Sequence, residues 1–364
     1  MEYSKRISAL SSFIFCKMMD GRGAIYSTYH TGYPSSDKFG VNHEVLSESA
    51  GLALLYAYHS KNFTLFRILV NFIRKHLLSP HGTLYWKLNP DLTPYGYGGH
   101  YSSALIDDLR VLKALILGCR LWGESGAMDL FSKISRGLEK YRVGGYLVEC
   151  ISWSGSEVYK SNKVILSYLD LEALKLLSEM DEKWRETFES AKRLILGGKR
   201  GFFFHTFFDV GAGEYGSMLD VNDSINQILI LSYLADVGMM GEASPLFEFL
   251  RDRFKRVGEI HGLYDPNGNA VGGVGIGTYA LFLSLALKFH DEELAENILR
   301  SKILTSQDLN EDSPTYGALI AKWPGDRPDA NSFDNLMGAI SLELIIRNCS
   351  RKADPLHHGG CFAQ

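Results

Sequence analysis

Residues 46–58 read LSESAGLALLYAY, and the reading of this stretch decides the fold. From Ala50 to Ala57 nearly every position is apolar, so a helix here has no wet face and belongs in an interior. Yet Glu48 stands in its first turn, with Glu44 one turn earlier. Carboxylates at the mouth of so apolar a helix need a physical reason.

Outward from this stretch the pattern repeats. Helical spacing of apolar residues predicts helices over about 3–19, 43–59, 62–77, 102–122, 126–141, 163–179, 182–197, 222–237, 241–256, 271–288, 290–302 and 331–348. Those starting near 43, 102, 163, 222, 271 and 331 are small and apolar, as in GLALLYAY, LILGCRLW and YALFLSLALKF. The helices between them are amphipathic and charged, as in KWRETFESAKRLILGG and PLFEFLRDRFKRV. A helical hairpin therefore recurs every sixty residues or so, with one shorter step. Apolar helices go inside and amphipathic ones outside, and six such pairs close into an all-α (α/α)6 toroid. The N-terminal helix would complete the outer ring. No Pro- or Ser-rich linker divides the chain, so a single domain over residues 1–364 is expected.

The totals exclude several classes of function. The chain has 364 residues, is 46% hydrophobic and 22% charged, and carries a formal net charge of -4 without a long basic block. Nucleic acid is therefore not an expected partner. The opening MEYSKRISALSSFIFCKMMD is too short and too interrupted for a membrane span, and no membrane partner is expected. Five scattered cysteines, Cys16, Cys119, Cys150, Cys349 and Cys361, lack metal-type spacing and point to a reducing compartment. With no cleavable leader read in the first residues, a cytoplasmic monomer is expected.

The loops before the apolar helices hold the unusual residues: YWKLNPDLTPYGYGGHYSS, GGYLVECISWSGSEVYKSN, GFFFHTFFDVGAGEYGSMLDVND, GLYDPNGNAVGGVGIGTY and AKWPGDRPDANSFDN. In a ring of parallel inner helices these loops share one face. Long loops rich in Gly, Tyr and Trp mark functional surfaces. Aromatic rings pack on the C–H faces of sugars, so Trp86, Tyr95, Tyr97, Tyr101 and Trp153 are candidate substrate contacts.

Inner helices also begin with acids: Glu44 and Glu48, Asp107 and Asp108, Asp220 and Asp223, Asp329 and Asp334. Singly, each reads as a helix cap or a first-turn acid that favours the dipole. Together, on one face under aromatic loops, they suit glycosidic-bond hydrolysis. That reaction needs a protonated carboxyl for the leaving oxygen and an ionised one for the water or the sugar. Glu48 fits the acid, because an apolar wall penalises its charged form, although the helix N-terminus opposes that shift. Glu44, earlier in the chain, is expected nearer solvent. Two carboxylates need no cofactor and no metal, and none is expected.

At these motifs the chain resembles glycoside hydrolase family 8 and related (α/α)6-barrel glycosidases. SESAGLAL keeps Ser47, Glu48 and Gly51 of the family's acid-bearing helix start. ALIDDLRVLKALILGCRLW keeps Ala104, Asp108, Val111, Ala114, Leu115 and Trp122 of its signature, but Ile106 stands where the family has its functional Asp. NDSINQILIL places Asp223 at the family's base, with Asn226 in place of an Arg. The resemblance implies an inverting hydrolase acting on an oligosaccharide or polysaccharide. Glu48 would be the acid, Asp223 the base, Asp107 the holder of the distorted sugar, and Asp108 and Asp220 substrate contacts. Asp220 is also a rival for the base.

Other readings stay open. His100 and His205 lie in mouth loops and would suit a sugar epimerase of the same architecture. Unsaturated-uronyl hydrolases and lyases share the toroid, and the altered signature at Ile106 allows a catalytically dead carbohydrate-binding relative. GGVGIGTY (272–279) lacks nucleotide-binding spacing and reads as a loop feeding a helix. His357, His358 and Cys361 stand close together near the C-terminus but read as a tail.

Overall fold

The computed structural model describes residues 2–123, 125–323 and 327–353. Among them are twelve α-helices: α1 Glu2–Lys17, α2 Ser47–His59, α3 Phe63–Phe72, α4 Leu105–Trp122, α5 Ser125–Gly137, α6 Leu171–Met180, α7 Arg185–Gly197, α8 Ser224–Asp236, α9 Met240–Val257, α10 Ile276–Lys288, α11 Glu292–Ile298 and α12 Ser332–Ala353. The even-numbered helices are the apolar set. In α10 every residue from Gly277 to Ala286 is buried, and α2 buries Leu52, Ala53, Leu54, Tyr56 and Ala57. The odd-numbered helices bury one stripe, such as Leu246, Phe247, Leu250 and Phe254 of α9. Each fully buried Leu or Phe contributes about 1.5–3 kcal/mol of transfer free energy, so the even helices are where the core is made.

The packing order follows the chain. Helix α2 packs on α4, α4 on α6, α6 on α8, α8 on α10, α10 on α12, and α12 returns to α2. Each even helix from α2 to α10 also packs on the odd helix that follows it, α2 on α3, α4 on α5, α6 on α7, α8 on α9 and α10 on α11, while α12 packs on α1 from the start of the chain. The even helices start at a common end. Ser47 Oγ of α2 donates to Asp107 of α4 at 2.6 Å, Ser49 Oγ of α2 meets Ser332 Oγ of α12 at 2.7 Å, and the Gly277 N–H of α10 donates to Asp334 of α12 at 2.6 Å. At their other end Lys288 of α10 binds Asp236 of α8, and Arg347 of α12 donates to the His59 carbonyl of α2.

The mouth differs from expectation in one respect. Loops read as irregular form short antiparallel strands. Tyr101–Ala104 pairs with Cys150–Ser154, which pairs with Glu157–Lys160. Phe207–Asp209 pairs with both Lys163–Ile165 and Glu214–Gly216. Approach strands Val45–Leu46, Tyr101–Ala104, Lys163–Ile165 and Asn222–Asp223 therefore precede α2, α4, α6 and α8, and these helices begin later than their apolar runs suggest. The largest correction is α6, expected from 163 and starting at Leu171. Val164 and Ile165 are β-branched and pair with Phe208 and Phe207, which keeps them out of the helix. The turn Leu166–Tyr168 fills the upper place instead, with Ser167 Oγ 2.5 Å from Asn226 Oδ1 of α8. No helix among the described residues is long and apolar enough to cross a membrane.

Candidate active site

Acids stand at the starts of five even helices, and their hydrogen bonds divide them into two kinds. Asp223 caps α8 by accepting the Asn226 N–H at 2.9 Å, and Asp170 caps α6 by accepting the Ala173 N–H at 3.0 Å. These two do what a helix-start acid ordinarily does. Helices α2 and α4 begin on Leu46 and Ala104 with no side-chain cap, although Glu48, Asp107 and Asp108 stand in their first turns. Asp107 and Asp108 are turned to other partners, and Glu48 does not cap its helix.

Asp107 is buried between α2 and α4. It accepts Ser47 Oγ at 2.6 Å on one oxygen and Arg110 Nη1 at 2.9 Å on the other. Glu48 follows Ser47 and faces the same charges, while keeping partial access to solvent. Enclosure by protein raises its pKa to about 7. The Arg110 charge opposes that rise, and the charges of Asp107 and Asp334 add to it. Glu48 therefore keeps its proton to higher pH than an ordinary glutamate, which suits a carboxyl that gives and regains a proton. Asp334, in the first turn of α12, is buried and accepts from Gly277 N–H and from Asn331 Nδ2 at 2.8 Å; burial raises it too. Gly277 permits this approach, since a Cβ there would lie 2.7 Å from the Asp334 carboxylate and 2.4 Å from the Phe333 ring.

The other candidate acids separate by environment. Asp108 is sealed from solvent and accepts Tyr141 Oη at 2.8 Å and the Leu84 N–H at 3.0 Å, so it ties the loop before the mouth to the outer layer. Asp329 is equally sealed, receiving Tyr33 Oη at 2.6 Å and lying 2.8 Å from His30 Nδ1. Asp220 is exposed, with backbone φ of 50° and a loose 3.7 Å pair to Arg200. Asp223 is half-buried, and burial raises it against the pull of its cap bonds. Glu44, expected near solvent, is instead buried: it accepts the Val41 N–H at 2.8 Å and pairs with the fully enclosed Lys87 at 3.2 Å. A buried ammonium needs that partner, and no pattern in the sequence announced it.

The aromatic candidates also divide. Tyr97 is 72% exposed, which leaves its ring available to a ligand. Trp86 and Tyr95 are half-buried and flank the Lys87 ammonium, which lies 5.1 Å and 3.7 Å from their ring centroids. Trp153 is only 2% exposed and packs with Tyr85 and Tyr101 at 5.4 and 6.2 Å, forming the wall of the mouth rather than its lining. His100 packs edge-on against Tyr159, and His205 stacks on Tyr215 with Nδ1 3.2 Å from Ser217 Oγ. His357, His358 and Cys361 lie outside the described residues.

Two residues near Glu48 were not singled out from sequence. Arg110 is a buried arginine in the first half of α4, three residues after Asp107, and that spacing was the available signal. Tyr168 lies in the turn before α6, where burial and the charges of Asp107, Glu149 and Glu48 push its hydroxyl well up. No local pattern marked it.

Comparison with known proteins bears on the fold. No family model matches the chain. The curated protein named "Putative lipoprotein YdaJ", from Bacillus subtilis, is 22% identical over 341 residues, spanning 92% of this chain and 86% of that protein. The solved structure of a novel alpha-amylase from Clostridium perfringens is 26% identical with a TM-score of 0.82, covering 93% of this chain and 97% of that one. Endoglucanase Cel10, a family 8 glycosyl hydrolase from Klebsiella pneumoniae, is 15% identical with a TM-score of 0.63, covering 93% and 99%. The fold is that of the family 8 glycosyl hydrolases. In the first turn of α4 Ile106 carries no charge, and the next residue, Asp107, bonds Ser47, the neighbour of Glu48.

Proposed function

We propose that this protein is an inverting glycoside hydrolase of (α/α)6 toroid architecture, one domain acting as a monomer on an oligosaccharide or polysaccharide. The observation that carries the reading is Glu48, a carboxyl at the common mouth of the inner helices, held to about 7 by enclosure and by two neighbouring acids. The cyclic packing order from α2 round to α12 and back supports the toroid. In that ring α8 stands across from α2, which supports Asp223 as the group on the far side of the bond.

In the proposed reaction Glu48 protonates the glycosidic oxygen as the bond to the anomeric carbon breaks. Asp223 takes a proton from the water that attacks the opposite face. Asp107, whose carboxyl pKa is raised by burial against the pull of Arg110 and Ser47, holds the distorted sugar, and the exposed Tyr97 offers a stacking surface. The inverting form requires Glu48 and Asp223 to stand about 6.5–9.5 Å apart, against about 5–5.5 Å for a retaining pair.

Reducing-sugar release from a polysaccharide panel tests the activity. α-Glucans stand first in the panel, because the likeness to the α-amylase is stronger than that to the endoglucanase, with β-1,4-glucans as the alternative. Asp223→Asn keeps an oxygen to cap α8 but cannot take up a proton. It is expected to slow natural and activated substrates alike, by on the order of 10²–10⁴. Full activity in that variant would move the base elsewhere. A reducing compartment is supported by Cys16 and Cys150, which are free thiols. Fractionation that finds the chain exported would overturn a cytoplasmic location.

A further inference from the structure

Gly51 lies one turn below Glu48, and the Arg110 stem passes directly over it. A Cβ at position 51 would sit 3.1 Å from Arg110 Cδ and 3.2 Å from Cγ, closer than most side chains approach. The guanidinium then reaches Asp107 at 2.9 Å, and Ser47, beside Glu48, holds the other Asp107 oxygen at 2.6 Å. Arg110 and Asp107 are both buried, 7% and 5% exposed, so their charges act through protein rather than through water. Glu48 is faced by Asp107 and Arg110 from α4, by Asp334 from α12, and by the neutral Tyr168 hydroxyl from the turn before α6. Of these only Arg110 is a cation.

We propose that Arg110 is a positioning residue for Glu48: passing over the glycine at position 51, it pins Asp107 and, with it, sets the pH above which Glu48 has lost its proton. The proposal rests on Glu48 as the general acid and adds what controls it. The Arg110 charge stabilises the ionised form of Glu48, and the Asp107 charge favours the protonated form. The two charges therefore push in opposite directions, and removing either has a signed consequence. A residue that merely filled space would have none.

The test is the alkaline limb of kcat/KM in three variants. Arg110→Met removes the cation, so the limb moves to higher pH, by roughly one pH unit, while kcat falls because Asp107 is no longer held. Asp107→Asn keeps the shape and removes the anion, so the limb moves to lower pH. Arg110→Lys keeps the charge and loses the fork, so the limb stays near its wild-type place while kcat drops. A second readout does not depend on turnover. It is the pH at which each variant gains stability when Glu48→Gln is added, followed by urea unfolding from pH 5 to 9. That midpoint is expected to rise in Arg110→Met and fall in Asp107→Asn. If Arg110→Met does not fold, the sign in Asp107→Asn decides. Midpoints that stay fixed, or move the same way in both variants, overturn the proposal. If the midpoints move as expected and no polysaccharide is cut, the proposal stands and the hydrolase reading falls.

Discussion

The two ends of the even-numbered helices balance their charged groups differently. At the mouth Glu48, Asp107 and Asp334 face a single arginine, Arg110. At the far end Lys113 binds Asp170 at 2.5 Å and Glu172 at 3.4 Å, Lys288 binds Asp236 at 2.7 Å, and Arg347 caps the last carbonyls of α2. Each end holds one titratable side chain displaced from its ordinary value. At the far end burial, with the charges of Arg347, Lys113 and Lys288, pushes His59 down to about 3 and keeps it neutral. At the mouth enclosure and surplus anions push Glu48 up to about 7. His59 therefore does not exchange a proton at physiological pH. The mouth is poised to exchange a proton, as a site of acid catalysis should be.

The largest expected effect breaks the mouth. Glu48→Gln keeps size and hydrogen bonding but has no proton to give. Hydrolysis of a natural oligosaccharide should fall by on the order of 10²–10⁴, with substrates bearing an activated leaving group partly spared. Steady-state kinetics on both substrate types, with circular dichroism for folding, checks this. Full activity on the natural substrate would return Glu48 to an ordinary first-turn residue and erase the functional half of the contrast.

The next effect breaks the far end. Lys113→Met removes the partner of Asp170 and Glu172 and leaves both acids facing each other in the ring. Losing one side of a buried pair costs about 3–5 kcal/mol. Chemical denaturation should show a loss of that order, whereas kcat at pH 7 and low temperature should change little in the protein that remains folded. A large change in kcat at unchanged stability would show that the far end also serves the chemistry.

The amount legible in the sequence follows the same division. The alternation of apolar and amphipathic helices is a property of long stretches, and all twelve helices stand where it predicts them to within a few residues, α6 excepted. The approach strands were not legible, because segments as short as Val45–Leu46 or Asn222–Asp223 carry too few residues to show a period and gain their pairing from distant loops. The acids at the mouth were legible as a group because they recur at helix starts. Their separation into caps, sealed ties and reactive carboxyls was not. Asp223 and Asp107 look alike in sequence, yet one bonds its own helix and the other bonds Ser47 of the neighbouring helix. The same holds for Glu44, whose partner Lys87 is brought in by an adjacent loop, and for Tyr168, which reaches the acids only because α6 starts late.

The smallest effect sharpens the contrast through the pH dependence of stability, and its sign is fixed by the direction in which folding moves Glu48. Glu48 has its folded-state pKa at about 7, above the ordinary glutamate value of 4.5 that it regains on unfolding. The folded chain therefore binds this proton more tightly than the unfolded chain. The stabilisation is fully present below about 4.5 and is lost as the pH rises through about 7. Glu48→Gln removes the titration, so its stability relative to the natural chain should grow from pH 5 to pH 8. The growth should be on the order of 1–3 kcal/mol, because a tenfold difference in proton affinity is worth about 1.4 kcal/mol. Taking the difference between the two proteins cancels the carboxylates they share, and urea unfolding at both pH values measures it. At the far end Lys113 is held charged by Asp170 and Glu172 throughout this range, so Lys113→Met should show no comparable growth between pH 5 and pH 8. A gap for Glu48→Gln that stays constant with pH would mean that Glu48 titrates as an exposed glutamate does. The two ends of the ring would then differ in composition but not in chemistry.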